Sequence, residues 1–570
     1  MNNLTVIDFF CGAGGFSEGF RQMGFELVCG YDNWQPAIDT YNHNFGLHCV
    51  AKNILDFNES DKKIEELPDT NIIIGSPPCV SFSSSNKSGQ ADKSLGVRLT
   101  ETFLKIVAVK KHQKNSILQA WFMENVVNSK KYLQPVYTFD DLGLTAWATN
   151  QGINSSSVAI KLEDNAATIN SADYGAIQAR KRLISGEIIN KNCLIIPSET
   201  HVDSKSTSKL PRYRAIKQIK EDFPNPFESK TAKLIKDINY DVAIPQYQIT
   251  DHFYDTGIYK IEWLASKYYK QNHPYMGKMS FPENENNPSR TVIATKIANS
   301  RESMIYKTEL NREGDGEYRL PTVREVAIIM GFPITFQFIG SESAKWRLVG
   351  NAVCCAVSRA LARTVLESYE IAISEELVVT REPNLEGVIS LNKYNKKIFN
   401  SPPIKKKGAR FRRHPLKDGN LTVTLSNYDI ESSSKTLYKW FTSIQYGTGK
   451  GFPIQKIEDN YFENIISIIE ELDNGRNFIK AVDEYLIPKV ANKIEMQKMY
   501  ENQSSFDNYW QPAKLVDETA KLIYQNIDCD KTYIQNDFVI FTEKKAVPVV
   551  QLLALYAINK IATLSNKEEL

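Results

Sequence analysis

At roughly 100–200 residues per domain, a chain of 570 residues holds three to five domains, or one large domain with appendages. Hydrophobic residues make up 42% and charged residues 24%, ordinary globular values that exclude a wholly disordered or fibrous chain. Lys and Arg number 69 against 67 Asp and Glu, a formal net charge of +2, so bulk charge decides nothing and nucleic-acid binding must be argued from motifs.

In chain order, residues 4–9 (LTVIDF) are a short apolar run typical of a buried parallel strand, followed at once by a glycine-rich turn. A helix fits residues 16–23, closed by Gly24. Residues 27–31 read as a second strand, 36–42 as helix, 71–75 (NIIIG) as a third strand and 118–124 (LQAWFME) as a fourth. Strands alternating with helices predict an α/β, doubly wound Rossmann-like sheet, with ligands beyond the carboxyl ends of the strands. Between about 190 and 290 the pattern gives way to polar clusters and many tyrosines, and helices return at 322–331 and after Trp346. Residues 371–404 read as a charged, broken linker. Beyond them 405–570 mix a possible hairpin (LTVTLSNYDI) with amphipathic helices, an extra α+β domain. Eight cysteines (11, 29, 49, 79, 193, 354, 355 and 529) show no zinc-type spacing. The first residues lack the basic start and long apolar stretch of a secretory signal, and the apolar run 547–558 is too short for a bilayer. A soluble cytoplasmic chain with free thiols and no metal is the expectation.

Four motifs carry chemistry. In DFFCGAGGFSEGF (8–20), Gly12, Gly14 and Gly15 let the backbone approach a ligand at a helix start, a turn shared by nucleotide and S-adenosylmethionine sites. Asp32, ending the second strand, adds a partner for ribose hydroxyls. GSPPCVSFS (75–83) places Cys79 after a buried strand, fixed by two prolines and followed by a serine-rich stretch, which suits a nucleophile beneath a closing loop. MENV (123–126) puts Glu124 at the same edge among Trp121, Phe122 and Met123, where desolvation favours the proton-donating form of a carboxyl. QARKRL (178–183) alternates Arg180 and Arg182, so that both point one way from an extended segment toward an oxo group, carboxylate or phosphate.

In sequence and order these elements resemble the cytosine-C5 DNA methyltransferase family over about residues 1–370. DFFCGAGG is similar to its cofactor turn, GSPPCVSFS to its catalytic Pro-Cys loop, ENV to its glutamate strand and QARKR to its arginine motif. YRLPTVREVAIIMGFP (318–333) and RLVGNAVCCAVSRAL (347–361) resemble its last two motifs. The resemblance implies S-adenosylmethionine as cofactor, with Phe10 stacked on it, Asp32 on the ribose, Pro78 lining the pocket, and Asn351 and Val353 closing the cofactor side. It implies that Cys79 attacks C6 of a flipped-out cytosine. Glu124 would bond N3 and the exocyclic amine, while Arg180 and Arg182 engage the base O2 and support the loop. Two departures stand out. Asn53 occupies a position where the family commonly has Asp facing the adenine amine, and Cys354 and Cys355 replace prolines or small residues as packing thiols. Neither removes a reacting group.

The resemblance implies a catalytic domain over 1–189 completed by 318–370, and a smaller target-recognition domain over 190–317 whose Lys, Arg, Tyr and Asn hold phosphates and read base edges. The C-terminal 405–570 falls outside it. There KKKGARFRRHPLK (405–417) offers seven basic residues to phosphate, GTGKG (447–451) lacks full Walker spacing, and no PD-x-E/D-x-K nuclease signature is evident. The expected partner is double-stranded DNA, with a cognate restriction or defence protein possible in a prokaryotic setting, no membrane, and an oligomeric state left open. The rivals are a transfer-RNA cytosine methyltransferase, a catalytically silent DNA-binding regulator, and a nucleotide-dependent oxidoreductase that would leave the Pro-Cys loop idle.

Overall fold

The computed structural model describes residues 4–46, 49–78, 93–228, 230–271, 278–391, 397, 399, 413–418, 421–427, 439–446, 454–456, 460–502, 505–506, 508–527, 532–534 and 546–567. The chain divides into two compact units, one of Met1–Ile258 with Ser280–Ile398, the other of Tyr259–Met279 with Phe399–Leu570.

The first unit opens with β1 (Thr5–Phe9), α1 (Gly15–Gln22), β2 (Glu26–Asp32), α2 (Gln35–Phe45), β3 (Val50–Ala51), α3 (Asp61–Glu65) and β4 (Ile72–Gly75). It continues through α4 (Lys93–His112), β5 (Ala120–Asn125), β6 (Val136–Thr138), α5 (Thr145–Asn150), β7 (Val158–Lys161), β8 (Ala166–Asn170) and β9 (Lys181–Ile188). Seven of these strands form one sheet in the order β3-β2-β1-β4-β5-β9-β8. The pairs from β3 to β5 are parallel, whereas β9 runs antiparallel to both β5 and β8. This is the α/β, mostly parallel sheet expected from the strand pattern.

Side chains explain why the strands read as continuous apolar runs. Val6, Ile72, Ile74 and Phe122 join a core on one face with Phe16 and Phe20 of α1. Their neighbours Ile7, Phe9, Ile73, Trp121 and Met123 join a second core on the other face with Phe103, Leu104 and Val107 of α4. A strand whose period-2 alternation meets a core on both sides has no polar face to show.

The same unit carries α6 (Lys217–Asp222), the small sheets β10 (Leu234–Lys236) with β11 (Ala243–Pro245) and β12 (Tyr306–Lys307) with β13 (Tyr318–Arg319), and α8 to α10; α7 (Lys260–Gln271) belongs to the second unit. Helix α8 (Val323–Ile329) begins with a capping box between Thr322 and Glu325, and Glu325 also pairs with the buried Arg319. Helices α9 (Glu342–Asn351) and α10 (Cys355–Ser368) follow; the stretch Glu342–Ser368 is long and apolar enough by composition to cross a bilayer, and is mostly buried in the unit.

Two sequence boundaries differ from the structure. Residues 190–317 do not form one body, because Tyr259–Met279 groups with the C-terminal unit. Residues 371–391, read as linker, are docked: Ile371, Ile373, Leu377, Val379 and Leu391 pack against the core, and Lys345, fully buried, bonds both Asp251 and the Ile389 carbonyl. Alternate apolar residues among charges give this strap its hold, a pattern too sparse to read as an element.

In the second unit an antiparallel sheet, β14 (Arg413–Asp418), β15 (Leu421–Ser426), β16 (Phe441–Tyr446) and β17 (Ile454–Lys456), packs with α11 (Asn460–Glu471), α12 (Gly475–Ala481), α13 (Lys493–Asn502) and α14 (Pro512–Asn526). Two short strands, β18 (Thr532–Ile534) and β19 (Ala546–Pro548), precede the last helix, α15 (Val549–Asn566). Helix α15 is apolar over most of its surface because the sheet, α11 and α14 pack against it, with Asn559, Lys560 and Thr563 on the side left partly open. Asn566 joins it to the sheet, accepting from Trp440 N–H at 2.9 Å and donating to Trp440 O at 2.7 Å. The hairpin expected at 421–430 is β15 with its neighbours. Residues 405–412 of the basic run and all of GTGKG lie outside the described residues.

Candidate active site

The carboxyl ends of β1, β2, β4 and β5 meet at one cleft, and its lining is built from the motifs. Phe10 leaves β1 in a left-handed conformation (φ 57°), which β1 cannot continue through. Cys11 N–H donates to Tyr31 O at 3.1 Å and Gly14 N–H to Cys11 O at 2.8 Å, closing the turn. Gly14 (φ 87°) starts α1 in a conformation that favours glycine. Gly15 is required by close approach, since a Cβ there would stand 2.3 Å from Val353 O. Both glycines shape the backbone, and neither lines the cleft. Gly12 does, and its N–H donates to Asp32 Oδ2 at 2.9 Å.

Asp32 is already engaged. Its Oδ1 accepts from Asn33 N–H at 2.8 Å and Trp34 N–H at 2.9 Å. Burial pushes its carboxyl up, opposed by these three backbone donors and by Arg347. Arg347 lies over the Trp34 ring, 4.4 Å from its centroid, and both line the cleft with Asn33 and Lys52. Sequence reasoning passed over these four. The signals available were an aromatic two residues after a strand-end acid and an arginine inside the last motif. Asn53 caps the short helix Ile54–Asn58, its Oδ1 accepting from Leu55 N–H at 3.2 Å, and it too faces the cleft.

Pro77 and Pro78 follow β4, anchored where Ser76 Oγ donates to Phe10 O at 3.1 Å. Pro78 lines the cleft; Cys79, the residue after it, lies outside the described residues.

At the other end, Glu124 stands on β5 opposite Ile184 of β9. It is buried, at 7% exposure, and its Oε1 lies 3.0 Å from Arg182 Nε. The apolar surroundings inferred from its sequence neighbours are therefore not what the carboxyl faces. Trp121 and Met123 point to one sheet face and Phe122 to the other, while Glu124 at the strand end meets a guanidinium.

Arg180 and Arg182 both border the cleft but differ in use. Arg180 Nη1 donates to Val292 O at 2.9 Å, and Nη2 donates to Gly350 O at 3.1 Å and Ala352 O at 3.3 Å. It thus clamps the turn that brings Asn351 and Val353 to the cleft, whereas contact with the base and support of the loop were both expected of the arginine pair. Among the described residues no group of three or more His, Cys, Asp and Glu could hold a metal ion.

One cleft therefore gathers Phe10, Gly12, Asp32, Asn53, Pro78, Glu124, Arg180, Arg182, Asn351 and Val353, drawn from five of the six family motifs and, for Asp32 and Asn53, from two positions between them. A family model, C-5 cytosine-specific DNA methylase, matches residues 4–367. The chain is 28% identical over 371 residues to the Type II methyltransferase M.HgiDI of Herpetosiphon aurantiacus, covering 64% of this chain and 95% of that one. It is 43% identical over 131 residues to M.HgiGI of the same organism (22% and 94%), and 27% identical over 407 residues to M.NgoFVII of Neisseria gonorrhoeae (67% and 92%). The match ends where the docked strap begins. The chain belongs to the C-5 cytosine-specific DNA methylase family and is a DNA cytosine-5 methyltransferase.

Proposed function

We propose that this enzyme methylates cytosine within a specific double-stranded DNA sequence, through a covalent bond from Cys79 to C6 of a base turned out of the duplex. The observation that carries the reading is the Glu124–Arg182 pair, placed in the same cleft as the Pro77–Pro78 turn that leads into Cys79. The other end of that cleft fits S-adenosylmethionine. Phe10, Phe16 and Leu348 offer apolar contact, Gly12 a close backbone, and Asp32, Asn33 and Asn53 polar ends for a nucleoside. When bound, that cofactor supplies an electrophilic methyl group.

The residues then divide the work. Cys79 Sγ adds to C6, which makes C5 nucleophilic; without that adduct C5 of cytosine reacts poorly. Glu124 holds N3 and the exocyclic amine and shares a proton with the ring as the adduct forms. Arg182 keeps the Glu124 carboxyl in place and lies in reach of the base O2, while Arg180 acts as a positioning residue through the 350–353 turn. After C5 takes the methyl group it loses its proton, and the Cys79 bond breaks.

Recognition falls to residues of 190–317 in the first unit, and the second unit adds DNA or partner contact. The Type II designation of the relatives supports a role as the modification half of a restriction or defence system in a prokaryotic cytoplasm.

Incubating the protein with tritiated S-adenosylmethionine and mixed DNA and RNA tests the core of this. Label should enter DNA, and Cys79→Ala should abolish it. Label in RNA alone, or equal label from the variant, overturns the reading. A covalent adduct with 5-fluorocytosine DNA should appear with the parent and vanish with Cys79→Ala.

A further inference from the structure

Two cysteines that methyl transfer does not use lie against each other. Cys11 sits in the glycine turn and Cys49 just before β3, and their Sγ atoms are 3.4 Å apart. They are 5% and 6% exposed and enclosed with Ile38 and Tyr41. Gly30 fixes the position from β2, because a Cβ there would stand 2.9 Å from Cys11 Sγ. A disulfide needs about 2.05 Å between sulfurs, so forming one from this pair closes the gap by roughly an ångström, shared between side-chain rotation and movement of the turn that carries Cys11.

We propose that Cys11 and Cys49 form a reversible disulfide in the presence of a peroxide, and that the cross-link weakens cofactor binding. The consequence for the cofactor rests on the reading of the cleft above; the cross-link itself does not. One thiol takes an oxygen from hydrogen peroxide, giving a sulfenic acid and water. The second thiol then displaces that hydroxyl as another water. Two thiols lose two hydrogens and two electrons, one S–S bond forms, and the peroxide is reduced to two waters.

The geometry explains the effect. Cys11 lines the cleft between Phe10, held at positive φ, and Gly12, whose N–H bonds Asp32. Displacing Cys11 toward Cys49 strains the Cys11–Tyr31 hydrogen bond and re-aims both neighbours. Burial pushes the Cys11 thiol well up, so the reaction is slow at neutral pH and quickens as pH rises.

The test treats the full chain with hydrogen peroxide, maps disulfides by peptide mass spectrometry, and measures S-adenosylmethionine affinity by calorimetry before treatment, after it, and after dithiothreitol. The expected result is a Cys11–Cys49 peptide, affinity at least tenfold weaker, and full recovery on reduction. Cys49→Ser should keep the reduced affinity and lose the sensitivity; Cys49→Ala serves if that variant folds poorly. No Cys11–Cys49 peptide, unchanged affinity in the cross-linked protein, or equal sensitivity in both Cys49 variants overturns the proposal, the last placing the effect at another thiol such as Cys79. Reduced protein that binds no S-adenosylmethionine would instead overturn the cofactor reading, and the peptide map would still decide whether the cross-link forms.

Discussion

The two ends of the cleft treat their carboxylates in opposite ways. Asp32 spends both oxygens on the N–H groups of Gly12, Asn33 and Trp34, so it holds the glycine turn against the end of β2. Glu124 meets a side chain, Arg182, and opens on the cleft. The first end is built before any ligand arrives, which lowers the cost of ordering it on binding. The second keeps a charge pair open to the cleft. Asp32 shapes the cleft wall, and Glu124 faces into the cleft.

Substitution at the Glu124 end has the greatest consequence. Glu124→Gln should lower single-turnover methyl transfer by about 10²–10⁴-fold, the usual worth of general acid–base catalysis. S-adenosylmethionine affinity should stay within about twofold of the parent, since one hydrogen bond of about 1 kcal/mol is not at stake at that end. An equal loss in both would show that the ends are not separable.

Next comes the clamp. Arg180→Ala leaves the carbonyls of Val292, Gly350 and Ala352 without their donor, and should cost about 3 kcal/mol in chemical denaturation of the first unit. A full-stability variant with dead chemistry would instead make Arg180 a ligand contact. Smaller still, Asp32→Ala should weaken S-adenosylmethionine binding about tenfold, or about 1.4 kcal/mol, with the transfer rate at saturating cofactor little changed.

The smallest effect is a pH dependence beneath the same turn. Asp8 is buried on β1, its Oδ2 accepting from Ser17 Oγ at 2.7 Å, and its Oδ1 has no hydrogen-bond partner among the described residues. Desolvation pushes its carboxyl from 3.8 up to about 8. The folded state therefore holds a proton that the unfolded chain releases. The stability this gives is complete below 3.8 and lost as pH rises through about 8. Between pH 7 and 9 the first unit should lose about 1 kcal/mol from this group. Asp8→Asn should flatten that slope in thermal melts, and an unchanged slope would place the titration elsewhere.

Much of the site was legible because its motifs are local. Strand, glycine turn and helix follow one another in residues 5–22, and the Pro-Cys and ENV stretches sit at the ends of β4 and β5. Less was legible where a residue's neighbours come from far along the chain. Alternation set Arg180 and Arg182 apart from Lys181, but could not say that Arg180 would find carbonyls at 292, 350 and 352. Nor could the acid at 32 be seen to bond a glycine 20 residues earlier, or the arginine at 347 to cover Trp34.

The sheet class, the order of the motifs and the family were readable from the chain alone, because apolar periodicity and turn chemistry are properties of neighbouring residues. Folding settled which polar groups bond the backbone and which face the cleft. It also decided that 371–391 docks on the first unit and that Tyr259–Met279 groups with the C-terminal one. The strap is held by apolar side chains that meet the core, and the polar groups by partner choice. A buried donor or acceptor takes whichever partner the fold brings within about 3 Å, and that partner has no fixed distance along the chain.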